Sequence, residues 1–546
     1  MPWIALVGPE IEENLSLRHL ASSLAAHGIS SEIIGFNQDA DFGAALSAIT
    51  GAAEPPLIVG LSLAFQWRAQ DFLAFAIALR ERGHRGHITL GGHFATFASL
   101  ELLRDFPEVD SIVRQEAEET MVALAEALLS GAPLDTLAGL ALRDAGGEPF
   151  LSAHPRLPDL AALPWPDRRG APAACFSHGI APLVSSRGCY ANCSFCCIAA
   201  WQEQSLPGKR YRLREVEDVA DEMVALQRTR GIDIFVFHDD NFFVPGHAKN
   251  KERLSALADA LSARGIGPFA TVVKARPTDC DPEVFRILKE RLQCIRVYVG
   301  IETDADQGLV TLQRWSGTKQ NRRAIELMRS LDLYTCFNLL IFDPDTTLAS
   351  LRANIDFLRY ASEFPSNFGR VELYAGTPLL ARMQAEGRAR GDYMQWDYAL
   401  GSPEVERVFA LAMECFHSRN FGPDALANRI MGTRFDLEVC RHFHPEVFRP
   451  AWLAEGRALN ALLAEDTAAG LAAIVDHVER GGSFAEERAL VEALVTRLRA
   501  TETVVGERCR DLAARLQTAI GRGRPLTDLG DRVATPLQSQ RLAVGL

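Results

Sequence analysis

Two long stretches of this chain alternate short apolar runs with amphipathic ones, a rhythm that belongs to parallel sheets with helices packed on their faces. In the first stretch the strand-like runs fall at 3–7, 31–34, 57–62, 87–90 and 111–113. Helix-like runs separate them: 15–26 stops at Gly28 and 70–82 at Gly83, glycine being the usual helix stop. The pattern predicts a doubly wound α/β domain over 1–140. Ligands of such sheets sit beyond the carboxyl ends of the strands, which singles out Pro9 and Glu10, Ser62 to Gln66, Gly91-Gly92-His93, and Gln115-Glu116.

Many prolines and glycines follow, among them Pro158, Pro164, Pro166 and Pro172, and 141–182 is expected to be a connection. The second alternating stretch, 183–400, has strand-like runs at 183–185, 234–237, 270–273, 295–300, 336–341 and 370–373. A helix with Val216, Val219, Met223 and Leu226 on one face lies between the first two. Six such units suit a partial (β/α)6, TIM-like barrel, which carries its chemistry on the loops after the strands. Beyond Pro403 strand signals vanish, and 401–546 is expected to be α-helical.

The formal charge of −13 argues against broad electrostatic capture of nucleic acid. The first residues show no basic stretch followed by an apolar one, and no uninterrupted apolar run approaches about 18 residues. The expectation is a soluble, cytoplasmic protein with neither nucleic acid nor membrane as partner. Eleven cysteines in 546 residues are too few and too odd in number for a disulfide scaffold, so metal ligation or reduced thiols is the better reading.

Three of them, Cys189, Cys193 and Cys196, follow the first strand of the second stretch with C-x3-C-x2-C spacing. A cubane iron–sulfur cluster takes four ligands, so three cysteines leave one iron open to a substrate or cofactor. Zinc or reduced core thiols are the alternatives, although structural zinc wants four closed ligands, usually in two separated pairs.

The run Ser186-Arg-Gly-Cys-Tyr-Ala-Asn-Cys-Ser-Phe-Cys196, with the aromatic Phe195 before the third cysteine, resembles the defining loop of the radical S-adenosylmethionine (SAM) superfamily. The resemblance implies that Cys189, Cys193 and Cys196 bind a [4Fe–4S] cluster, that SAM occupies the fourth iron, and that Phe195 lies near its adenine. His238-Asp239-Asp240-Asn241-Phe242 resembles the segment that meets the SAM amino group. Gly300-Ile-Glu302-Thr303 resembles the segment whose carboxylate contacts the SAM ribose, and Phe342 to Thr346 and Tyr374 to Leu379 follow the fifth and sixth strands. Cys197 is out of register and reads as a small buried hydrophobe.

The first domain resembles the Rossmann-like cobalamin-binding domain that precedes the radical domain in one large subgroup. Gly60 to Phe65, Gly91 to Thr96, Arg114 to Thr120 and Leu163 to Asp167 carry the likeness. Paired glycines at a strand end let backbone approach a bulky planar ligand. The implied cobalamin contacts are Pro9, Glu10, Ser62, Leu63, Ala64, Phe65, Gln66, Gly91, Gly92, His93 and Glu116. Two features depart from the pattern. No Asp-x-His-x-x-Gly run is present and His19 falls within a helix, so no histidine is expected on the lower face of cobalt, with Leu63 to Gln66 as its cover. The usual Gly-Glu-Gly-Glu run reads Gln115-Glu-Ala-Glu118. No cysteine precedes Cys175, which excludes the amino-terminal cluster of methylthiotransferases. Only Cys415, Cys440 and Cys509 follow the barrel, so one cluster is expected.

The resemblance thus implies a cobalamin-dependent radical SAM enzyme, class B methyltransferase-like. The reduced cluster would cleave SAM to methionine and a 5′-deoxyadenosyl radical that abstracts hydrogen from an unactivated carbon. Methylcobalamin, recharged by a second SAM, would then methylate the substrate, a small secondary-metabolite intermediate held where the two domains face each other. An external donor such as flavodoxin or ferredoxin would supply electrons. The alternatives are a cobalamin-dependent oxidative cyclase or ring-rearranging enzyme and, in another class, a noncatalytic corrinoid or iron–sulfur carrier. Asn338, Tyr374, Tyr393 and Trp396 are the candidate substrate contacts, and the helices over 451–520 are expected to pack the barrel or to dimerise.

Overall fold

The computed structural model describes residues 2–205, 210–420 and 425–529. The chain forms two compact units, one of residues 1–171, 195–214 and 373–397, the other of 172–194, 215–372 and 398–546.

The first unit is built on seven strands: β1 (Trp3–Gly8), β2 (Ser30–Gly35), β3 (Ile58–Ser62), β4 (His87–Gly91), β5 (Ser111–Val113), β6 (Leu140–Arg143) and β7 (Pro149–Leu151). Their order is β2-β1-β3-β4-β5-β6-β7. The pairings through β5 are parallel and the last two antiparallel. Helices cover both faces of a parallel sheet, so Ile4 to Val7 are all fully buried and the strand reads as one apolar run. The helix Leu15–Ala26 begins where the Asn14 side chain accepts the Ser16 and Leu17 amides, and ends before Gly28 at φ 73°. Because β1 lies between β2 and β3, the strand order reverses at its carboxyl end, the place where such sheets open a crevice.

The second unit has an edge strand β8 (Ala173–Cys175) antiparallel to β9 (His178–Leu183). Then come β10 (Ile232–Phe237), β11 (Ala270–Ala275), β12 (Cys294–Val299), β13 (Tyr334–Phe342) and β14 (Ser366–Arg370). Strands β9 to β14 lie side by side in chain order and are all parallel. With β8 and β14 as its edges the sheet is an open, partial barrel. Every connection returns through a helix, so all six carboxyl ends face the same way.

Three expectations need correction. The expected connection 141–182 contributes to both sheets: Leu140–Arg143 and Pro149–Leu151 form a hairpin turned at Asp144 and Gly147, and β8 and most of β9 lie before residue 183. The His-Gly-Ile-Ala-Pro-Leu run of β9 carries two strand breakers that pairing with β10 overrides. The sixth strand is Ser366–Arg370 rather than 370–373, because Ser-Asn-Phe-Gly-Arg has little apolar content of its own. Finally, the described helices beyond residue 401 were expected as a region of their own, and they share a core with the barrel. Phe435, Leu437, Trp452, Leu512 and Leu516 share one core with Ile180, Ile234, Val272 and Tyr334 of the barrel, and each such buried side chain stabilises by about 1.5–3 kcal/mol. Residues 421–424 and 530–546 of that region lie outside the described residues. Among the described residues one helix, Pro450–Glu479, is long and apolar enough by composition to cross a membrane, and half of its most apolar window is buried within the fold.

Candidate functional site

In the second unit the strand ends converge around the cysteine loop. Asp239, at the end of β10 and fully buried, accepts the Ser185 amide, at 3.0 Å, and the Ser185 and Ser186 hydroxyls at the end of β9. Arg253, from the helix His247–Ala263, donates to the same Ser185 hydroxyl. Asp239 therefore fixes the start of the loop. Its neighbour Asp240 is exposed and accepts the Gly188 amide at 2.9 Å. Asn241 is buried, donates to the Phe243 carbonyl at 3.0 Å and bonds Asp279. Asp279 also accepts the Tyr190 hydroxyl and the Arg276 amide, and burial raises its pKa, against the pull of Tyr190 and Arg276.

Two sulfurs of the loop receive N–H donors. The Ala191 amide points at Cys189 Sγ, 3.4 Å, and the buried Arg314 guanidinium donates to Cys193 Sγ at 3.2 Å. Arg314 also donates to the Gly300 carbonyl, and its Nε has no partner. The Ser194 amide and hydroxyl bond the Leu312 and Thr311 carbonyls, which ties the loop to the segment bearing Arg314. Burial pushes the Cys189 thiol up to about 11, with Arg276 opposing. Metal must therefore displace that proton when it binds. Phe195 and Cys196 belong to the stretch of chain that packs with the first unit.

Glu302 has φ 64°, and it closes a short bridge beyond β12: its amide donates to the Asn338 carbonyl and its carbonyl accepts the Leu340 amide. A side chain on Gly300 would press on Glu302 Oε1, 3.0 Å from the added carbon. Burial raises the Glu302 pKa, opposed by Arg314 and then Arg276. Asn338 Oδ1, Arg276 Nε and Arg276 Nη1 are buried with no partner in the fold, a condition that native proteins rarely leave without a ligand or water. The site thus gathers Glu302, Gly300 and Asn338 at one place and joins Asp240, Asn241 and the cysteine loop at another.

These residues fit a [4Fe–4S] cluster. The donor set is thiolate, amide and guanidinium hydrogens aim at the sulfurs, and Arg314 places positive charge beside an anionic group. Among the described residues no three His, Cys, Asp or Glu side chains converge as ligands of a single ion do. A cubane takes each thiolate on a different iron and asks for a wider spread than a single ion does.

In the first unit the loops after β1, β3, β4 and β5 form the second candidate site. Gly92, at φ 107°, lies against the Ala64 backbone, where an added Cβ would stand 2.9 Å from its nitrogen and Cα. Beside Gly91 an added Cβ meets nothing nearer than 3.7 Å. Gly8 abuts the Ser62 side chain, whose Cβ would stand 2.8 Å from an added carbon. The Ala64 carbonyl accepts the Phe94 amide. Phe65 is 39% exposed and stacks on Trp67, while the buried Gln66 Oε1 and Trp67 Nε1 have no partner. An exposed aromatic beside an unpaired acceptor and donor suits the corrin ring and its amide side chains, so the residues fit cobalamin. His93 packs against Trp201, ring centroids 4.3 Å apart and planes tilted by 49°, and burial lowers its pKa to about 4, which keeps it neutral.

Several expected contacts are committed elsewhere. The Leu63 side chain is fully buried in the core, so only Phe65 and Gln66 of the expected cover present side chains outward or unpaired. Glu10 holds Arg18, which in turn donates to the Asp167 and Arg169 carbonyls, and Pro9 accepts the Asn14 amide group. Glu116 pairs with Arg212, which also donates to the Pro158 carbonyl. Tyr374, Tyr393 and Trp396 lie in 373–397, which packs with the first unit. There the Tyr393 hydroxyl donates to Asp105 at 2.6 Å, the Tyr374 carbonyl accepts Thr377, and Trp396 is half-buried on a short strand.

Sequence reasoning missed Arg314, Arg276, Tyr190 and Asp279. Arg276 and Asp279 follow β11, a strand end at which any partial barrel places functional side chains, and that position was a usable signal. Arg314 follows a helix and carries none.

Residues 4–125 match the B12 binding domain family and residues 183–358 the Radical SAM superfamily. Over 296 residues the chain is 27% identical to an uncharacterized methyltransferase of Pyrococcus horikoshii, covering 54% of this chain and 62% of that protein. It is 26% identical over 308 residues to the anaerobic magnesium-protoporphyrin IX monomethyl ester cyclase of Cereibacter sphaeroides, covering 54% and 47%. The chain thus spans less than two thirds of the length of these relatives. Its fold is similar to the structure of OxsB, a cobalamin-dependent S-adenosylmethionine radical enzyme with aqua-cobalamin and S-adenosylmethionine bound, at a TM-score of 0.65 and 16% identity over 95% of this chain and 83% of that one. The chain thus carries a B12-binding domain followed by a Radical SAM domain.

Proposed function

We propose that this protein is a cobalamin-dependent radical SAM enzyme that transfers a methyl group to an unactivated carbon of a small molecule. The observation that carries the reading is the cysteine loop at the end of β9, with hydrogen-bond donors aimed at Cys189 and Cys193, in the same chain as strand-end loops where the exposed Phe65 stands beside the unpaired Gln66 Oε1 and Trp67 Nε1. When bound, the cluster supplies the electron that cleaves SAM and the corrin supplies a transferable methyl group.

The chain's own part is binding, orientation and electrostatics. Cys189, Cys193 and Cys196 hold the iron. Arg314 donates to the Cys193 sulfur at 3.2 Å and sets a positive charge beside it. Glu302, fixed by its bridge to β13, accepts the ribose hydroxyls of SAM, and Asp240 receives its amino group. Asn338, whose carbonyl accepts the Glu302 amide, carries an unpaired Oδ1 and is assigned to the substrate. Gly91 and Gly92 let backbone approach the corrin, Phe65 covers it, and neutral His93 adds no charge.

A second reading, oxidative cyclisation without methyl transfer, is favoured by the match to the cyclase of Cereibacter sphaeroides. Anaerobic turnover of the loaded, reduced enzyme separates the two. Release of both 5′-deoxyadenosine and S-adenosylhomocysteine is expected for methyl transfer, and 5′-deoxyadenosine alone would favour the cyclase reading.

A further inference from the structure

We infer that the surface over residues 310–323 docks an acidic, low-potential electron-donor protein of the flavodoxin type. The inference rests on the reading that the cysteine loop holds a cluster. The segment touches that loop from behind: Thr311 and Leu312 accept from Ser194, and Arg314 donates to Cys193. Its outer side is unusual for a solvated loop. Val310 is 72% exposed and Trp315 61%, the two being among the most exposed large apolar residues of the described chain.

Charge points to the partner. Between Val310 and Arg323 there are four basic residues, Arg314, Lys319, Arg322 and Arg323, and no acidic one, in a chain whose net charge is −13. Arg314 is turned inward and Arg322 pairs with Asp304 at 2.9 Å. Lys319 and Arg323 are both exposed and stand four residues apart on the helix Thr318–Ser330, hence on one face. An exposed aromatic and an aliphatic side chain beside like charges make the apolar centre and charged rim of a transient interface. A negatively charged partner is steered there by Lys319 and Arg323. One electron leaves the reduced flavin of the donor and enters the cluster, which passes from its 2+ to its 1+ state; no bond forms or breaks.

The test uses the full chain, reconstituted with iron and sulfide, with SAM and either photoreduced flavodoxin or dithionite as reductant. For Lys319→Glu with Arg323→Glu, and separately for Trp315→Ser, the flavodoxin-driven rate of 5′-deoxyadenosine formation is expected to fall about tenfold or more, with the dithionite-driven rate unchanged. In the parent chain the flavodoxin-driven rate alone is expected to fall with added salt. Unchanged flavodoxin-driven rates in the variants, or equal losses with both reductants, would overturn the docking surface. If the parent chain forms no 5′-deoxyadenosine with dithionite, the radical reading itself has failed, and the docking surface with it.

Discussion

The strand-end loops of the first sheet and those of the second solve different recognition problems. Around Gly92, Gly8 and Phe65 the first sheet offers close backbone approach, an aromatic face and unpaired neutral groups, with its carboxylates Glu10 and Glu116 locked by Arg18 and Arg212. Around Cys193 and Glu302 the second offers thiols, buried carboxylates and two arginines with unpaired nitrogens. On the proposed reading the first would recognise by shape a large ligand whose reacting centre lies within it. The second would recognise by charge an anionic cluster and a zwitterionic substrate, which would offset the cost of burying its ionised groups.

The largest effect is expected from Cys193→Ala, which should abolish iron binding and SAM cleavage while cobalt binding by the first unit persists; simultaneous loss of both metals would break the division between the sites. Gly92→Leu should do the converse. A side chain there is strained at φ 107° and meets the Ala64 backbone, so cobalt content should collapse and stability should fall by about 1–3 kcal/mol, with iron retained. Arg314→Met sharpens the account of the charged site: iron is kept, but the midpoint potential of the cluster should move to more negative values, because a hydrogen-bond donor and a positive charge leave the sulfur. An unchanged potential in a redox titration followed by electron paramagnetic resonance would count against that role.

The smallest effect concerns His93, whose folded-state pKa of about 4 lies below the ordinary value near 6.5. Between those values the unfolded chain binds more protons, so this contribution to stability is complete above about pH 6.5 and is lost as pH falls towards 4. His93→Asn should remove that slope, on the order of 1 kcal/mol after discounting for partial exposure, in denaturation midpoints measured across the window.

How much of this was legible in the sequence follows the same contrast. Strands buried on both faces, such as Trp3–Gly8 and Tyr334–Phe342, announce themselves as apolar runs, and the cysteine spacing is local, so both fold classes and the place of the cysteine loop at a strand end are readable. Strands His178–Leu183 and Ser366–Arg370 owe their conformation to neighbours rather than to composition, and they were misplaced. The packing of 195–214 and 373–397 with the first unit is set by contacts such as Arg212 with Glu116 and Tyr393 with Asp105. Each joins residues about a hundred or more positions apart, a distance over which periodicity says nothing. For the same reason Asp239 and Glu10, acidic residues at strand ends, read as ligand contacts until their partners are seen.

Anaerobic reconstitution with iron, sulfide and hydroxocobalamin, followed by desalting and analysis of both metals in one sample, tests the central claim most directly. The account predicts about four irons and one cobalt per chain, from one cubane and one corrin. Iron without cobalt would contradict the reading of the first unit as a corrin site, and the absence of both would contradict the account as a whole.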